Sequence, residues 1–367
     1  MSMRKLNIIL PPHATFKRWE DVGMFSRQKK YFQALTKNFE SVIYSADAKD
    51  YSTELGIKHV HCDHLIDVYG IRHMQYYHLL LSCAQNMEGL IRVYGTSVPF
   101  LGRIKRKSKG KLIVSFHNDW GQGVKKDHPW SIGSLIGNSI QTQTLLSADL
   151  ILATHQWLEK RAKEISPAKV DILPNFIDEE VFYPGNNKLH VIVFVGRIHW
   201  SKGIEYLIRG FAKLKKEFPD FILKIAGNGE DKNKFINLVR AESINDVQFL
   251  GSIQNNKLGD LLREAMIYVL PSVNMEGHPK ALIEAMACGV APIVTNVPGN
   301  KDLIIHENTG MVVSPKSEDE IYAALKYLIQ NEKARNDIER NVLSESKQYF
   351  FSSLISKEID FLNLINI

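Results

Sequence analysis

Short runs of aliphatic and β-branched residues alternate along this chain with longer stretches in which apolar positions recur every three or four residues. In the first half, Leu6–Leu10, Ser41–Tyr44, Leu90–Tyr94, Leu112–Phe116, Leu150–Thr154 and Val170–Leu173 read as strands, and Phe25–Asn38, Arg72–Asn86 and Gln156–Ile165 have helical spacing. Asn175–Lys188 then collects Pro, Gly and Asn, as a linker does. The pattern restarts at Val191–Val195, which is apolar throughout, as a parallel strand buried on both faces requires. Helix Ile204–Phe218, strand Phe221–Ala226, a Gly-Asn-Gly turn and helix Asp231–Glu242 follow. Strands Val247–Leu250 and Ile267–Leu270, helix Pro279–Cys288, strand Pro292–Val294 and helix Glu318–Asn331 complete the series, and the tail from Asn336 has a helical pattern. This order predicts an α/β chain of two Rossmann-like doubly wound domains, 1–184 and 185–345, with a last helix at about 346–367 packing back on the first. Open parallel sheets bind ligands beyond the carboxyl ends of their strands, so two such domains facing each other predict a site in an interdomain cleft.

Composition narrows the picture. The chain has 367 residues, 44% hydrophobic and 23% charged, which suits a soluble globular protein of two domains. No apolar run has the length of a membrane-spanning helix. The first apolar stretch stops at Pro11 and Pro12, which reads as a strand and its turn, and a cytoplasmic location is the expectation. Three cysteines (Cys62, Cys83 and Cys288) without a Cys-x-x-Cys pair fit free thiols in a reducing compartment. Cys288, in an Ala-Met-Ala-Cys run, reads as a small packing residue. The net charge of +6 belongs wholly to residues 1–184, with 24 Lys and Arg against 18 Asp and Glu; residues 185–367 carry 22 of each. That asymmetry predicts an anionic partner for the first half. The densest cluster is Arg103, Lys105, Arg106, Lys107, Lys109 and Lys111.

Candidate chemistry concentrates in the second half. Phe194-Val195-Gly196-Arg197 is a buried strand running into a glycine, and Lys202-Gly203 follows before a helix. Gly196 permits a tight exit and close ligand approach. Arg197 offers a fork of donors matched to phosphate oxygens and Lys202 a mobile point charge, so the pair can neutralise a diphosphate. Two solvated loop cations are the bland alternative. Further on, Glu276-Gly277-His278-Pro279-Lys280-Ala281-Leu282-Ile283-Glu284-Ala285-Met286-Ala287-Cys288-Gly289 sets two glutamates eight positions apart, one in a loop and one on a helix. Pro279 fits the first helical position and Gly289 the position past the end. The amides of Lys280, Ala281 and Leu282 are then expected to open toward an anion. Glu276 is placed to accept bonds from sugar hydroxyls and Glu284 to reach a ribose diol.

Strand-Gly-Arg-x4-Lys-Gly followed by Glu-x7-Glu-Ala-Met-Ala-x-Gly resembles the donor domain of retaining glycosyltransferase family four, the group 1 glycosyl transferases of GT-B fold. Ala226-Gly227-Asn228-Gly229, Phe249-Leu250-Gly251, Pro298-Gly299, Gly310 and Val312-Val313 extend the resemblance over about 191–345. It implies that Arg197 and Lys202 grip the donor diphosphate and that Glu276 meets the transferred sugar. It also implies that Glu284 binds the ribose, that Asn228 belongs to the donor loop, and that Gly251 to Ile253 lie by the base. His278-Pro279 replaces the family's more common Phe-Gly, which bears on sugar preference. The first half is similar more loosely. Leu173-Pro174-Asn175-Phe176-Ile177-Asp178 resembles a Pro-Asn-Gly-Val-Asp segment, with Phe176 in place of glycine, and Ser147-Ala148-Asp149-Leu150-Ile151 resembles the strand before it. Val114-Ser115-Phe116-His117-Asn118-Asp119 resembles the strand ending in the family histidine near the sugar. His117 is thereby a catalytic candidate, and Gly23 and Asp119 are acceptor-side candidates.

The resemblance implies a retaining transferase that moves a hexose-like unit from a nucleoside diphosphate sugar to an acceptor hydroxyl in glycan, glycolipid or surface polysaccharide synthesis. A UDP-sugar is the expected donor, with a GDP-sugar as the alternative, and no cofactor is expected. The chain has no Asp-x-Asp element, so a metal-free site is expected. Two rival readings are a non-catalytic nucleotide-sugar binder of the same fold and a nicotinamide-dependent oxidoreductase. The latter needs G-x-G-x-x-G, and Lys232 stands where Gly227-Asn228-Gly229 would require the third glycine. The Arg103–Lys111 cluster and the helix starting Phe25-Ser26-Arg27-Gln28-Lys29-Lys30-Tyr31-Phe32 are together expected to press on an anionic membrane carrying a lipid-linked acceptor. A solvated helix face plus a disordered basic loop is the competing reading. No nucleic-acid recognition signature accompanies the charge.

Overall fold

A computed structural model describes residues 3–63, 71–117, 119 and 132–365. The chain folds as two compact units, Met1–Pro174 with Leu354–Ile367, and Asn175–Ser353. The first is built on seven strands: β1 Arg4–Ile9, β2 Phe39–Tyr44, β3 Lys58–Val60, β4 Leu90–Val93, β5 Lys111–Phe116, β6 Leu150–Ala153 and β7 Lys169–Ile172. They lie in the order β3-β2-β1-β4-β5-β6-β7 and every pairing is parallel. The helices are α1 Phe16–Asp21, α2 Phe25–Thr36, α3 Ser52–Leu55, α4 Ile71–Cys83, α5 Leu101–Lys107, α6 Ile132–Ser147 and α7 Gln156–Ile165. The order turns back at β1: β1 leads to β2 on one side, whereas β4 leads outward to β5. Right-handed crossovers therefore put α2 and α5 on opposite faces of the sheet.

The second unit carries β8 Leu189–Val195, α8 Ile204–Lys215, β9 Ile222–Ala226, α9 Lys232–Ala241, β10 Val247–Gly251, α10 Asn255–Glu264, β11 Ala265–Leu270, α11 Lys280–Ala287, β12 Ala291–Thr295, β13 Met311–Val313, α12 Glu318–Gln330 and α13 Glu332–Ser346. The sheet order is β10-β9-β8-β11-β12-β13, again wholly parallel, with β8 and β11 central. Residues 191–194 of β8 and all six of β11 are buried, as their unbroken apolar runs require. The last helix, α14 Phe351–Leu364, lies for its greater part in the first unit.

Every strand predicted from the hydrophobic pattern is present with its ends within two residues, and every helix predicted up to Asn331 with its ends within three; the last helix, expected at about 346–367, runs from Phe351 to Leu364. The pattern missed β3, β13, α1, α3, α5, α6 and α10. One reading of the basic half needs correction. Arg103–Lys111 is no disordered loop: α5 occupies 101–107 and is pinned by buried Leu101 and Ile104. In α2, Arg27, Tyr31 and Phe32 are buried, whereas Phe25, Lys29 and Lys30 are half-buried.

Candidate active site

In the second unit the candidate residues gather beyond the carboxyl ends of β8, β9, β10, β11 and β12, where an open parallel sheet binds ligands. Backbone hydrogen bonds lace the loops together. The Gly196 N–H donates to the Ala226 carbonyl at 3.0 Å, Ile198 to Asn228 at 2.9 Å and Gly227 to Gly251 at 2.7 Å. Gly227 has φ +139°, and a β-carbon there would sit 1.8 Å from the Gly196 oxygen, so only glycine lets the two loops approach this closely. Residues Trp200–Lys202 form one 3-10 turn, fixed by the Trp200 N–H to the Asp231 carboxylate at 2.6 Å.

Both candidate diphosphate cations face carboxylates. Lys202 Nζ lies 2.7 Å from each oxygen of Glu276, and the pair is largely buried. The Ser272 hydroxyl donates to the same Glu276 carboxylate. The Glu276 backbone is held by its N–H to the Pro298 carbonyl at 3.0 Å. A β-carbon on Gly299 would come within 2.3 Å of the Glu276 carbonyl, so the Pro-Gly element noted in the sequence is a support for this glutamate. Arg197 is exposed and reaches Glu230 at 3.3 Å, while His199 Nε2 meets the same carboxylate at 2.9 Å. Asn228 is exposed beside them, and its Oδ1 accepts the Gly229 N–H at 3.0 Å.

The Glu276–Glu284 segment departs from expectation at its start. Pro279 is the cap residue of α11, which begins at Lys280. The Leu282 N–H donates to the Pro279 carbonyl at 3.1 Å, so of the three amides expected to serve an anion this one is already engaged. Glu284 is buried at 3% exposure, on a helix buried from Leu282 to Ala287. His278 is buried too, its ring 5.2 Å from that of Tyr349, and its carbonyl accepts from the Asn175 side chain at 2.9 Å. Gly277 is half-buried in the loop between Glu276 and His278. Gly251 ends β10 with φ +71°, and Ile253 packs against the core just beyond it. Burial pushes the Tyr268 hydroxyl well above its ordinary range, and the charges of Glu276 and Glu284 add to the shift, so both glutamates act on one buried phenol.

Sequence reasoning missed Glu230, Ser272 and Tyr268. Glu230 and Asp231 directly follow the Gly-Asn-Gly turn, and that adjacency was the available signal. His199, Glu230 and Asp231 also present ligand atoms within 4.8 Å of one another, one of two such groupings among the described residues. In the first unit Asp50, His59 and His61 do the same. There His59 Nδ1 accepts the Tyr51 N–H at 3.0 Å and Nε2 lies 2.7 Å from the Ser45 hydroxyl, so both ring nitrogens are occupied.

The first unit holds the remaining candidates. His117 is half-buried just past β5. Asp119 is buried, with Gln141 Nε2 at 2.9 Å and Arg161 Nε at 3.0 Å on its two oxygens, so its carboxylate ties α6 to α7. Asn118 lies outside the described residues. Gly23 has φ +69° in the turn between α1 and α2. Cys288 is buried, which pushes its thiol up to about 12, in keeping with a packing residue.

Comparison with known proteins bears on this arrangement. Two Rossmann-like units of parallel strands make the fold of the GT-B type. Sucrose-phosphate synthase from Thermosynechococcus elongatus superimposes with a TM-score of 0.82, covering 98% of each chain at 17% identity. Anabaena HepE, solved in complex with UDP, gives 0.76 at 14% identity, covering 98% of this chain and all of that one. Residues 177–344 match the family model of glycosyl transferases group 1. An uncharacterized glycosyltransferase of Haemophilus influenzae is 36% identical over 142 residues, 38% of this chain and 39% of its own. The N,N'-diacetylbacillosaminyl-diphospho-undecaprenol alpha-1,3-N-acetylgalactosaminyltransferase of Campylobacter jejuni is 27% identical over 173 residues, 47% of this chain and 44% of its own. The chain thus spans less than half the length of these curated relatives.

Proposed function

We propose that this protein is a glycosyltransferase of the group 1 type that moves a sugar from a nucleoside diphosphate donor to an acceptor hydroxyl with retention at the anomeric carbon. The observation that carries the reading is the convergence of Arg197, Lys202, Glu276 and the start of α11 on the carboxyl edge of one parallel sheet. Arg197 and Lys202 neutralise the diphosphate as the bond from the anomeric carbon to phosphate oxygen breaks, which is stabilisation of developing negative charge. The departing phosphate oxygen takes the proton of the acceptor hydroxyl as that oxygen bonds the same carbon. Glu276 orients the sugar, Glu284 the ribose, and the residues from Gly251 to Ile253 border the base. His117 contributes from the first unit, with Gly23 and Asp119 on the acceptor side. Transfer proceeds without a metal ion, consistent with a phosphate site built from fixed cations and amides.

The match of residues 177–344 to group 1 transferases supports a nucleotide-sugar donor, and the UDP bound by HepE favours a UDP-sugar. The undecaprenol-linked substrate named for the Campylobacter jejuni relative supports a glycan or lipid-linked acceptor in glycan or polysaccharide synthesis. A thermal-shift series with UDP-, GDP- and ADP-sugars tests the donor, since a ligand of the folded state raises Tm by mass action. UDP-sugars should raise it most; no shift with any nucleotide sugar would remove the proposal. Donor hydrolysis without acceptor, unchanged by chelator, separates an enzyme from a silent binder and tests metal independence.

A further inference from the structure

We propose that α5 and the residues beside it form a docking surface for an anionic lipid bilayer. Leu101 and Ile104, one turn apart, are buried and fix the helix to the unit, which sends Arg103, Arg106 and Lys107 outward. Among the described residues these three make no ion pair, whereas Lys105 and Lys111 turn to Asp149. The exposed charge is therefore three cations on two helical turns, with exposed Lys109 directly after them.

Apolar side chains stand next to this charge. Phe100, which precedes α5, is 46% exposed; its ring lies 4.8 Å from that of Tyr77 on α4 and 5.5 Å beneath the Arg103 guanidinium. Met74, one turn before Tyr77 on α4, is 56% exposed. On the other flank a β-carbon at Gly102 would touch the Ser147 hydroxyl at the end of α6, and the neighbouring Leu146 is 53% exposed. Exposed cations flanked by exposed apolar groups suit a headgroup layer over an acyl boundary: the cations meet the lipid phosphates and the apolar groups enter below them. A nucleic acid or an acidic polymer would use the cations and leave Met74 and Leu146 without purpose.

The surface owes nothing to the donor site, so its test has no activity readout and can fail while the transferase reading stands. The full-length protein is sedimented with phosphatidylcholine vesicles, with and without about a third phosphatidylglycerol, at low and high salt. Binding should require the anionic lipid and fall with salt. Arg106→Glu combined with Lys107→Glu should weaken it by at least about 25-fold, roughly five-fold per cation lost. Phe100→Asn, tolerated at the left-handed φ of 57°, should weaken binding to anionic vesicles at high salt as well. Lys37→Glu, on the layer opposite α5, should change nothing. Equal binding to both vesicles, or an unchanged affinity in the double variant, overturns the proposal. So does a double variant that loses Tm but keeps vesicle affinity, since the cations would then serve only the helix end. Binding of heparin or DNA in place of vesicles overturns it too.

Discussion

Arg197 and Lys202 are treated differently by their surroundings, and that difference sets what their loss should do. Lys202 is largely buried against Glu276, whereas Arg197 is 62% exposed and meets an equally exposed Glu230. Exposed ion pairs contribute about 0–1 kcal/mol. Arg197→Ala should therefore leave Tm almost unchanged while lowering kcat by about 10²–10³-fold, the usual consequence of losing one donor to a developing charge. Near-normal turnover with a full complement of donor would remove the phosphate-clamp role. With Arg197 in the proposed phosphate role, Glu230 competes with the diphosphate for the same guanidinium. Glu230→Gln should tighten UDP binding, by up to about five-fold in calorimetry, given the worth of an exposed pair; weaker binding would mean that Glu230 orients Arg197 instead. The cations and the two glutamates were legible because each sits at a fixed offset from a strand end or a helix start. Glu230 was not, since its contact with Arg197 depends on two loops laced together from 33 residues apart.

Elements declared themselves in proportion to their apolar periodicity. Val191–Val195 of β8 and the whole of β11 are continuous hydrophobic runs, and α8 carries a regular buried stripe from Ile204 to Leu214. By contrast β3 is three residues long, Lys-His-Val at the edge of its sheet, and α5 has two apolar anchors among its cations. The ends of β2 and β3 are instead held by polar contacts that no period announces. Ser45 bridges His59 Nε2 and the Asp47 carboxylate, which in turn accepts the N–H groups of Phe16 and Lys17 at the start of α1. Burial holds the His59 imidazole below its ordinary value, against the pull of Asp47. A histidine whose folded value is depressed stabilises the fold above its unfolded value and loses that contribution as pH falls through the folded one. Protonation must also break the Tyr51 N–H bond to Nδ1. The first unit should accordingly lose thermal stability as pH drops below about 6.5. His59→Gln should be less stable at neutral pH but flatter with pH in a calorimetric series; a parallel slope would assign the effect to other groups.

At the scale of the whole chain, the reading set the helical tail against the first domain but not the contact that holds it there, because a period says which face is apolar and not what covers it. The partner in the first unit is a buried charge. Arg92 on β4 and Glu358 on α14 are 1% and 3% exposed, and Arg92 Nε donates to the Glu358 carboxylate at 2.8 Å across 266 residues of sequence. Tyr31 of α2 donates to the other carboxylate oxygen at 2.6 Å, and Tyr94 lies beneath the guanidinium at 4.5 Å. Arg4 reaches the carbonyls of Leu362, Asn363 and Ile365 at the end of the helix. Strand β4 is otherwise apolar and central, so an arginine there is tolerable only while the helix supplies its counter-charge. Removing one partner of a buried pair costs about 3–5 kcal/mol, whereas replacing both with apolar residues of similar volume is close to neutral. Glu358→Ala should thus cost about that much in urea unfolding of the first unit. Arg92→Met with Glu358→Leu should recover most of the loss. If the double variant were no better than the single one, the contribution of α14 would lie in its packing and in the Tyr31 hydroxyl bond. Charge compensation would then not be what holds the end of the chain to this unit.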